Sequence, residues 1–290
     1  MTSAVDLAEL WDAHRRRVVD VAYRMLGSIT DAEDVAQEVF VRLARTDVTR
    51  IDDVRGWVVT VTARICIDQL RSARVTRRQY VGPWLPEPVV ALSDDGADPA
   101  DRVTLDDSVR IALLAVLERL TPAQRTVFVL HDVFGLPFDD VAGIVGRSVG
   151  ACRQLASRAR RHVRADDPRY RVDAAEHRRV AERFARAATY GDLDGLIAVL
   201  DPDAVGEFDS GGLMRGVPTS LVVGAERVAS VLLASVDGLG VRFTGATVNG
   251  EPGVVAALRD RVSAVLALEV RDGRVDHVRA VGNPRKLRHI

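Results

Sequence analysis

Cysteine is scarce in this sequence, and long apolar runs are missing from it. Cys66 and Cys152 are the only cysteines and lie far apart, which excludes a disulfide framework and a structural zinc site built on cysteine alone. No run approaches the roughly 18 apolar residues that a membrane helix needs, and the N-terminus has no charged-then-apolar signal pattern. We therefore expect a cytoplasmic protein with no membrane segment, no metal and no cofactor.

Lysine is almost absent as well. Of the 40 basic residues only Lys286 is a lysine, a bias typical of a GC-rich genome, so individual arginines carry weight only in context. The net charge of −1 by itself speaks against a nucleic-acid binder. The charges are segregated along the chain, however, and their distribution rather than their sum indicates the function.

Two stretches near the N-terminus carry apolar residues at helical spacing, residues 6–43 and 52–78. The first stretch breaks at residues 27–30, where Thr30 followed by Glu33 predicts a capping box that opens the next helix. The second stretch ends in crowded arginines, so its helix is apolar on one side and basic on another. An all-α first domain is predicted over residues 1–79.

The pattern is lost between residues 80 and 107, which are too rich in proline for a helix and too polar for a core strand. This segment is predicted to be a linker. It contains the motif Trp84-Leu-Pro-Glu-Pro, a stiff, apolar-tipped segment suited to packing between domains. The alternative is an ordinary stiff linker with no docking role.

Helical periodicity resumes beyond the linker and predicts a second all-α domain over residues 108–166. Thr121 and Pro122 predict the start of a helix that runs to about Phe134. Two short helices joined by a glycine-containing turn then give a helix-turn-helix pattern. The two helices and the turn between them are predicted at residues 138–145, 149–163 and 146–148.

The character of the sequence changes after residue 168, and a separate α+β domain is predicted over residues 170–290. Helices are predicted near residues 174–190, 193–200 and 225–234. Strand-like runs are found at residues 241–248, 254–258, 263–270 and 275–281, with Asn-Gly and Asp-Gly turn dipeptides between them. The predicted fold class is mainly α, with two all-α domains followed by this α+β domain.

The last helix of the second domain is strongly basic. No acid occurs between Arg147 and Ala165, and the helix carries five arginines. A helix of this size fits the major groove, where arginine contacts phosphates or guanine and Gln154 could pair with adenine. The alternative is a solvated basic face, which the preceding helix and turn make less favoured. The arginines are Arg153, Arg158, Arg160, Arg161 and Arg164.

The first domain offers two faces of opposite charge. Acids cluster at residues 31–38 and arginines at residues 64–78. Trp57 lies beside the basic helix and could stack on an unpaired base. Helical spacing alone favours core packing for this side chain.

These segments together resemble the extracytoplasmic-function sigma factors of bacterial RNA polymerase, over roughly residues 5–165. The run from Asp31 to Leu43 resembles the polymerase-binding helix of that family. Gly56-Trp57 through Arg64, and Asp68-Gln-Leu-Arg71, resemble the part that opens and reads the −10 element. Leu120-Thr-Pro-Ala-Gln-Arg and Ser148-Val-Gly-Ala-Cys-Arg resemble the −35-reading domain.

The resemblance implies a sigma factor that directs core RNA polymerase to specific promoters and initiates transcription. Its implied partners are core polymerase, through Asp31, Asp34, Gln37 and Glu38, and promoter DNA. The −10 element would be read by Trp57, Arg64, Asp68, Arg71, Arg74 and Arg77. The −35 element would be read by Arg147, Ser148, Arg153, Gln154, Ser157, Arg158 and Arg161.

The length of the linker fits this reading. About 30 residues extend to roughly 100 Å at about 3.3 Å each. Promoter elements separated by some 20 base pairs lie about 70 Å apart. Tethering on polymerase would also raise the effective concentration of the second DNA contact.

Residues from about 170 onward resemble the SnoaL-like members of the nuclear transport factor 2-like superfamily, a cone of helices closed by a curved sheet. Trp84-Leu-Pro-Glu-Pro and Asn283-Pro-Arg-Lys-Leu look like signature motifs of the sigma-factor subgroup that carries this domain. Leu213 and Arg285 depart from that subgroup, which typically has a lysine and an acid there. The resemblance implies that the fused domain contacts the sigma part and regulates it through Trp84, Leu85, Pro86, Asp209, Gly211, Gly212, Asn283, Pro284, Lys286 and Leu287.

In that subgroup the fused domain replaces a membrane anti-sigma factor, so no dedicated anti-sigma factor is implied. Cone folds also host isomerases and cyclases, which would need an acid or a His-Asp pair. Asp276 and His277 are adjacent on one strand and point to opposite faces, which together with the isolation of Asp209 argues against catalysis. A small, unidentified ligand in the cone stays open. An alternative function is a free-standing, ligand-responsive DNA-binding regulator, which would leave the acidic helix unexplained.

Overall fold

The computed structural model describes residues 4–77, 79–91, 109–166, 173–214 and 216–290. The chain divides into two compact units. The first contains the described parts of residues 1–76 and 113–167, and the second contains residues 77–91, 109–112 and the described part of 168–290. Residues 92–107 of the predicted linker and 170–172 of the predicted third domain lie outside the described residues.

The first unit begins with three long helices, in agreement with the apolar periodicity. They are α1 (Ala4–Leu26), α2 (Ile29–Ala44) and α3 (Val54–Arg77), with a short 3-10 helix (Val48–Arg50) before α3. The predicted capping box at Thr30 and Glu33 is wrong. Ser28 caps α2 because its backbone is extended and its hydroxyl accepts a 3.0 Å hydrogen bond from the Asp31 amide, so the helix already begins at Ile29.

The helix-turn-helix pattern is confirmed. The helices that follow α3 are α4 (Ile111–Glu118), α5 (Pro122–Val127), a π-helix (Phe128–Val133), α6 (Phe138–Val145) and α7 (Val149–Asp166). Thr121 and Gln124 form the capping box of α5. Gly146 ends α6 in the left-handed conformation, with φ of 68°, and the Ser148 hydroxyl accepts from the Ala151 amide at the start of α7.

Two arginines, Arg24 and Arg125, are among the largest fully buried side chains of the described chain. Arg125 Nε and Nη2 each donate to the Arg24 carbonyl at 3.2 Å, and Nη1 donates to Glu118 at 2.5 Å. Burial lowers the pKa of Arg125 to about 9, because the desolvated cation is disfavoured. The contact ties α5 to the C-terminal end of α1, where carbonyl groups lack helical partners.

The second unit is an α+β domain, as predicted. Its sheet has the order β1-β4-β5-β6-β7-β2-β3, with β2 and β7 parallel and the other neighbours antiparallel. The strands are β1 (Val90–Ala91), β2 (Leu200–Asp209), β3 (Val222–Val223), β4 (Arg242–Val248), β5 (Glu251–Leu258), β6 (Arg261–Arg271) and β7 (Arg274–Val281). The helices are α8 (Ala174–Tyr190), α9 (Leu193–Val199) and α10 (Ala225–Val236), followed near the end by a 3-10 helix (Pro284–Lys286).

The three helices pack on one face of the sheet and enclose the core of this unit. Phe184 of α8, Leu196 of α9 and Val228 of α10 meet Val254 and Val278 from the sheet, all of them almost fully buried. The linker segment pairs with strand β4 and is hydrogen-bonded to the C-terminal tail through Lys286. No helix in the described part of the chain has the length and apolarity to cross a membrane.

Three strands were not expected from the sequence. β2 and β3 lie in a region without alternating apolar residues, since Leu200 at the start of β2 is followed by Asp201, Pro202 and Asp203. β1 lies in the predicted linker and pairs with β4, Val90 opposite Val248. A two-residue edge strand needs no apolar run of its own, because the existing sheet supplies its hydrogen-bond partners.

We expect Arg125→Ala to lower the free energy of unfolding of the first unit by about 3–5 kcal/mol, the range for breaking a buried ion pair. The Glu118 carboxylate and the Arg24 carbonyl would lose their buried partner. Urea denaturation followed by circular dichroism measures the change. Arg16→Ala, at an exposed position of α1, is the matched control. Equal stability of the two variants would contradict this account of Arg125.

Candidate functional site

The basic helix α7 presents a polar strip to solvent. All seven residues predicted to read the −35 element are exposed: Arg147, Ser148, Arg153, Gln154, Ser157, Arg158 and Arg161. The opposite side of the helix packs inward through Cys152, Ala156 and Ala159, each with no exposed surface. The strip therefore has the helical geometry that groove insertion needs.

The arginines of α7 differ in their surroundings. Arg160 turns back to the π-helix and pairs with Asp132 at 2.5 Å, so it belongs to the packing of the unit. The Arg153 guanidinium lies 5.7 Å from the centre of the Phe138 ring. Burial raises the pKa of the Cys152 thiol, in keeping with its packing against the interior of the unit.

The helix α3 places Arg64, Asp68 and Arg71 on one exposed face, spaced four and three residues apart. Trp57 is half-buried, so its side chain packs partly against the unit and leaves part of its surface open to solvent. It lines a cavity of about 1070 Å³. Four arginines and four aspartates also line this cavity: Arg17, Arg50, Arg55, Arg64, Asp47, Asp52, Asp53 and Asp140. The side chains of Arg74 and Arg77 lie outside the described residues.

The helix α2 is divided into an acidic face and an apolar face. The predicted polymerase-binding residues Asp31, Asp34, Gln37 and Glu38 are all exposed. The other face is buried through Ala32, Val35, Val39 and Leu43. Val41 adds an exposed apolar side chain near the end of the acidic face, a feature that the sequence alone did not single out.

The linker segment is held on the sheet domain by a cluster that we call the linker clamp, in which Leu85, Asp209, Asn283 and Lys286 are buried and Tyr80 and Trp84 are half-buried. Asp209 is its centre and is 1% exposed. Its carboxylate accepts hydrogen bonds from the Tyr80 hydroxyl, from the Leu85 amide at 2.9 Å and from Lys286 Nζ at 2.7 Å. The two donors from the linker segment, Tyr80 and Leu85, are 129 and 124 residues away from Asp209 in the sequence.

The ammonium group of Lys286 is fully engaged in the linker clamp. It donates to Asp209 and to the Leu85 carbonyl, and it lies 3.4 Å from the centre of the Trp84 ring. Tyr80 packs edge-on against Trp84 at 4.7 Å between ring centres. Asn283 Nδ2 donates to the Tyr80 hydroxyl at 2.8 Å. Burial, with Asp209 as the next cause, raises the pKa of Tyr80, so its hydroxyl stays protonated and can donate.

Two features of the loop beside the linker clamp favour glycine at positions 211 and 212. Both have positive φ, 61° and 73°, which favours glycine. A Cβ on Gly211 would come within 2.6 Å of Asn283 Nδ2, and one on Gly212 within 2.9 Å of Val81. The loop that contains them therefore lies directly against the linker segment.

The remaining residues predicted to be regulatory occupy different positions. Pro86 and Leu287 are buried, whereas Pro284 is exposed at the first position of the final 3-10 helix. The two departures from the subgroup pattern, Leu213 and Arg285, have exposed side chains. Docking of the linker thus depends on Asn283 and Lys286 and does not require the acid or the lysine that the subgroup has at those two places.

A second attachment of the linker segment is made by Asn249, which sequence reasoning missed. Its side-chain carbonyl accepts from the Val89 amide at 2.9 Å, its side-chain amide donates to the Val109 carbonyl at 2.7 Å, and its own amide donates to the Val89 carbonyl. Asn249 thus holds residues 89 and 109 at one point. The only signal in the sequence was the Asn-Gly turn dipeptide.

The acids and the histidine considered for catalysis are engaged separately. Asp276 pairs with Arg271 at 2.9 Å, and His277 Nε2 lies 3.0 Å from Glu207. Burial raises the pKa of Asp276, and the nearby Arg271 opposes that shift. Asp209 is the centre of the linker clamp. Among the described residues, no group of three metal-binding side chains is arranged to hold an ion.

Comparison with known proteins matches two family models, and all but residues 110–112 of the matched ranges lie in the first unit. The model for sigma-70 region 2 matches residues 10–76, and the model for sigma-70 region 4 matches residues 110–163. The first covers α2 and α3, and the second covers the helix-turn-helix.

Similar full-length proteins extend the comparison to the second unit. The chain is 44% identical over 282 residues to the probable ECF RNA polymerase sigma factor SigI of Mycobacterium tuberculosis, covering 96% of this chain and 93% of the relative. It is 40% identical over 291 residues to the ECF RNA polymerase sigma factor SigJ of the same species, covering 96% and 92%. The crystal structure of that SigJ matches with a TM-score of 0.74 and 38% identity, over 96% of this chain and 97% of SigJ.

We expect Asp209→Asn to loosen the linker clamp, because the Lys286 ammonium would lose its buried counter-charge. Amide hydrogen exchange of residues 80–91 should accelerate by about two orders of magnitude, which corresponds to roughly 3 kcal/mol for a broken buried pair. Asp260→Asn, at an exposed turn, is the matched control. Exchange in Asp209→Asn as slow as in the control would show that the carboxylate does not hold the segment.

Proposed function

Because the chain belongs to the extracytoplasmic-function sigma factors of RNA polymerase, we propose that its two helical domains and its SnoaL-like domain divide promoter recognition and its control between them. The chain directs core RNA polymerase to specific promoters, where transcription is initiated. The domain boundaries that we propose are 1–79, 108–166 and 170–290, with the linker between the first two. The chain acts with polymerase in the cytoplasm.

The −35 element is read by α7. The solvent-facing strip from Arg147 to Arg161 supports this role, because its side chains follow one face of a helix that begins a turn after α6. Arg153, Arg158 and Arg161 contact phosphates or guanine edges, and Gln154 contacts adenine. Arg160 takes no part, because Asp132 neutralises it.

The −10 element is opened and read by α3. The exposed face with Arg64, Asp68 and Arg71 supports this role, and so does the half-buried Trp57, whose ring is accessible for stacking on an unpaired base. Arg74 and Arg77 extend the same part of the sequence. Four aspartates also line the adjoining cavity, so the arginine face of α3, rather than the cavity as a whole, carries the attraction to phosphates.

Core polymerase is bound by α2. Its exposed acidic face, Asp31, Asp34, Gln37 and Glu38, is available while the apolar face is buried in the unit. Such a face favours a basic partner surface. It also distinguishes a sigma factor from a free-standing DNA-binding regulator, which has no use for an exposed acidic helix.

The C-terminal domain restrains the chain by holding the linker. The observation that carries this proposal is that Asn249 binds Val89 and Val109 at once, while the linker clamp holds residues 80–85. Residues 89 and 109 could be separated by roughly 66 Å if the intervening chain were extended at about 3.3 Å per residue. With both held by one side chain, the linker has lost the reach that two distant promoter elements demand.

The same docking takes the place of a separate anti-sigma factor. The linker is released when the clamp opens, and the two helical domains can then reach both promoter elements at once. The proposal gives the C-terminal domain no catalytic step, because Asp209, Asp276 and His277 are each engaged with different partners.

We expect Arg153→Ala and Arg158→Ala to weaken promoter binding by the polymerase holoenzyme by about 1–3 kcal/mol where the lost contact is to a base. Fluorescence anisotropy at fixed salt measures the affinity, and the salt must be matched because phosphate contacts depend on it. Arg186→Ala, at an exposed position of α8, is the matched control. Promoter affinity equal to that of the control in both variants would remove α7 as the reader.

We expect Asn249→Gly to raise promoter-directed transcription, because it removes both side-chain bonds that hold the linker. Glycine keeps the positive φ of 50° at this turn. Loss of two hydrogen bonds at about 1 kcal/mol each weakens docking by roughly 2 kcal/mol. Asp272→Gly, with the same φ of 50° in another turn, is the matched control. Transcription by Asn249→Gly that equals or falls below the control would contradict a restraining role.

A further inference from the structure

The C-terminal cone encloses a cavity of about 140 Å³ between its helices and the sheet. Its walls come from the core side of β2, β4, β5, β6 and β7 and from the end of α10. Thirteen of its eighteen lining residues are apolar, including Phe208, Phe243 and Leu266. An apolar cavity of about 150 Å³ in another protein holds benzene or xenon and stays free of water. The volume therefore fits one small ring.

Three of the polar side chains on the lining, those of Asp209, Ser235 and Ser263, are already committed. Asp209 is the one charged residue among the described residues that line the cavity, and its carboxylate is bound by the linker clamp. The hydroxyls of Ser235 and Ser263 donate to backbone carbonyls within the domain. An ionised ligand would find no free counter-charge in the lining and would lose its hydration on entry.

The mouth of the cavity is apolar as well. Leu239 belongs to the lining and is 53% exposed. Leu213, next to the lining residue Met214, is 56% exposed. Apolar side chains at the opening and in the lining both favour an uncharged, apolar ligand.

One loop connects this cavity to the linker clamp. Ser210 and Met214 line the cavity, whereas Gly211 lies against Asn283 and Gly212 against Val81 of the linker segment. Gly282 also lines the cavity, and its amide donates to the Asp209 carbonyl at 2.8 Å. The loop 210–214 therefore has the cavity on one side and the linker on the other.

We propose that this cavity is a regulatory site for a small, uncharged, apolar molecule of about one ring, and that its occupancy strengthens linker docking. The inference rests on the proposed function of the C-terminal domain as a restraint. The cavity is already open in the docked arrangement, so a molecule that fits it binds this arrangement in preference to one in which the loop 210–214 has moved. A ligand shifts a conformational equilibrium only through such a difference in affinity.

The test uses benzene as the probe and benzoate as its charged counterpart, with the full-length protein. Calorimetry should detect benzene binding and no benzoate binding. Amide exchange of residues 80–91 should slow roughly tenfold at a benzene concentration ten times the Kd, if benzene binds only the docked form. Absence of benzene binding, equal binding of benzoate, or unchanged or faster exchange in bound protein would overturn the proposal.

A matched pair of variants locates the site. Ala256→Leu fills the cavity, because Ala256 lines it, and should abolish benzene binding. Ala257→Leu places the same extra volume on the other face of β5, outside the cavity lining, and should leave binding intact. Loss of binding in both variants, or in neither, would place benzene elsewhere. These outcomes are independent of Asn249→Gly transcription, which tests the restraint itself.

Discussion

A single buried carboxylate, that of Asp209, holds the N-terminal part of the linker on the C-terminal domain. It lies at the end of β2 and gathers donors from two distant parts of the chain, the linker segment and the final 3-10 helix. Burial makes each of these bonds stronger than it would be in water and makes an unpaired partner expensive. Partly docked arrangements of the linker are consequently disfavoured, because they would leave Asp209, Lys286 or the Tyr80 hydroxyl without its buried partner.

The lone lysine of the sequence has a specific place in this arrangement. Lys286 puts its ammonium between a carboxylate, a carbonyl and the face of Trp84. A cation on an aromatic face is worth up to about 2 kcal/mol when both are desolvated. An arginine at this position would bring a larger planar group into a site shaped for a compact one. The contacts of Lys286 therefore give a physical reason for a lysine at this position.

Charge is organised by helix face rather than by the chain as a whole. The near-zero net charge hides an acidic face on α2 and basic faces on α3 and α7, each exposed. Buried arginines have a different task, as Arg125 shows by joining α5 to α1. A count of arginines cannot distinguish the exposed arginines of α3 and α7 from the buried Arg125. Helical spacing predicted the exposed faces of α3 and α7.

Local patterns in the sequence predicted the local structure well. The helix predicted at residues 174–190 is α8, and the seven residues placed on the −35 strip are all exposed, because helical periodicity and turn chemistry act over a few residues. The linker contacts could be anticipated only from motif resemblance, since Lys286 and Leu85 are 201 residues apart. β2 was missed because its Asp-Pro-Asp start reads as a turn, and Asn249 because its role depends on strand β4 meeting the linker.

The central claim is that this chain confers promoter specificity on RNA polymerase, and run-off transcription tests it most directly. Core polymerase supplied with the full-length protein is offered a pool of promoter DNA, with core alone and an unrelated sigma factor as references. The account predicts transcripts that core alone does not make, from templates that share two elements at a fixed spacing. No such transcripts, under conditions in which the unrelated sigma factor initiates, would contradict it.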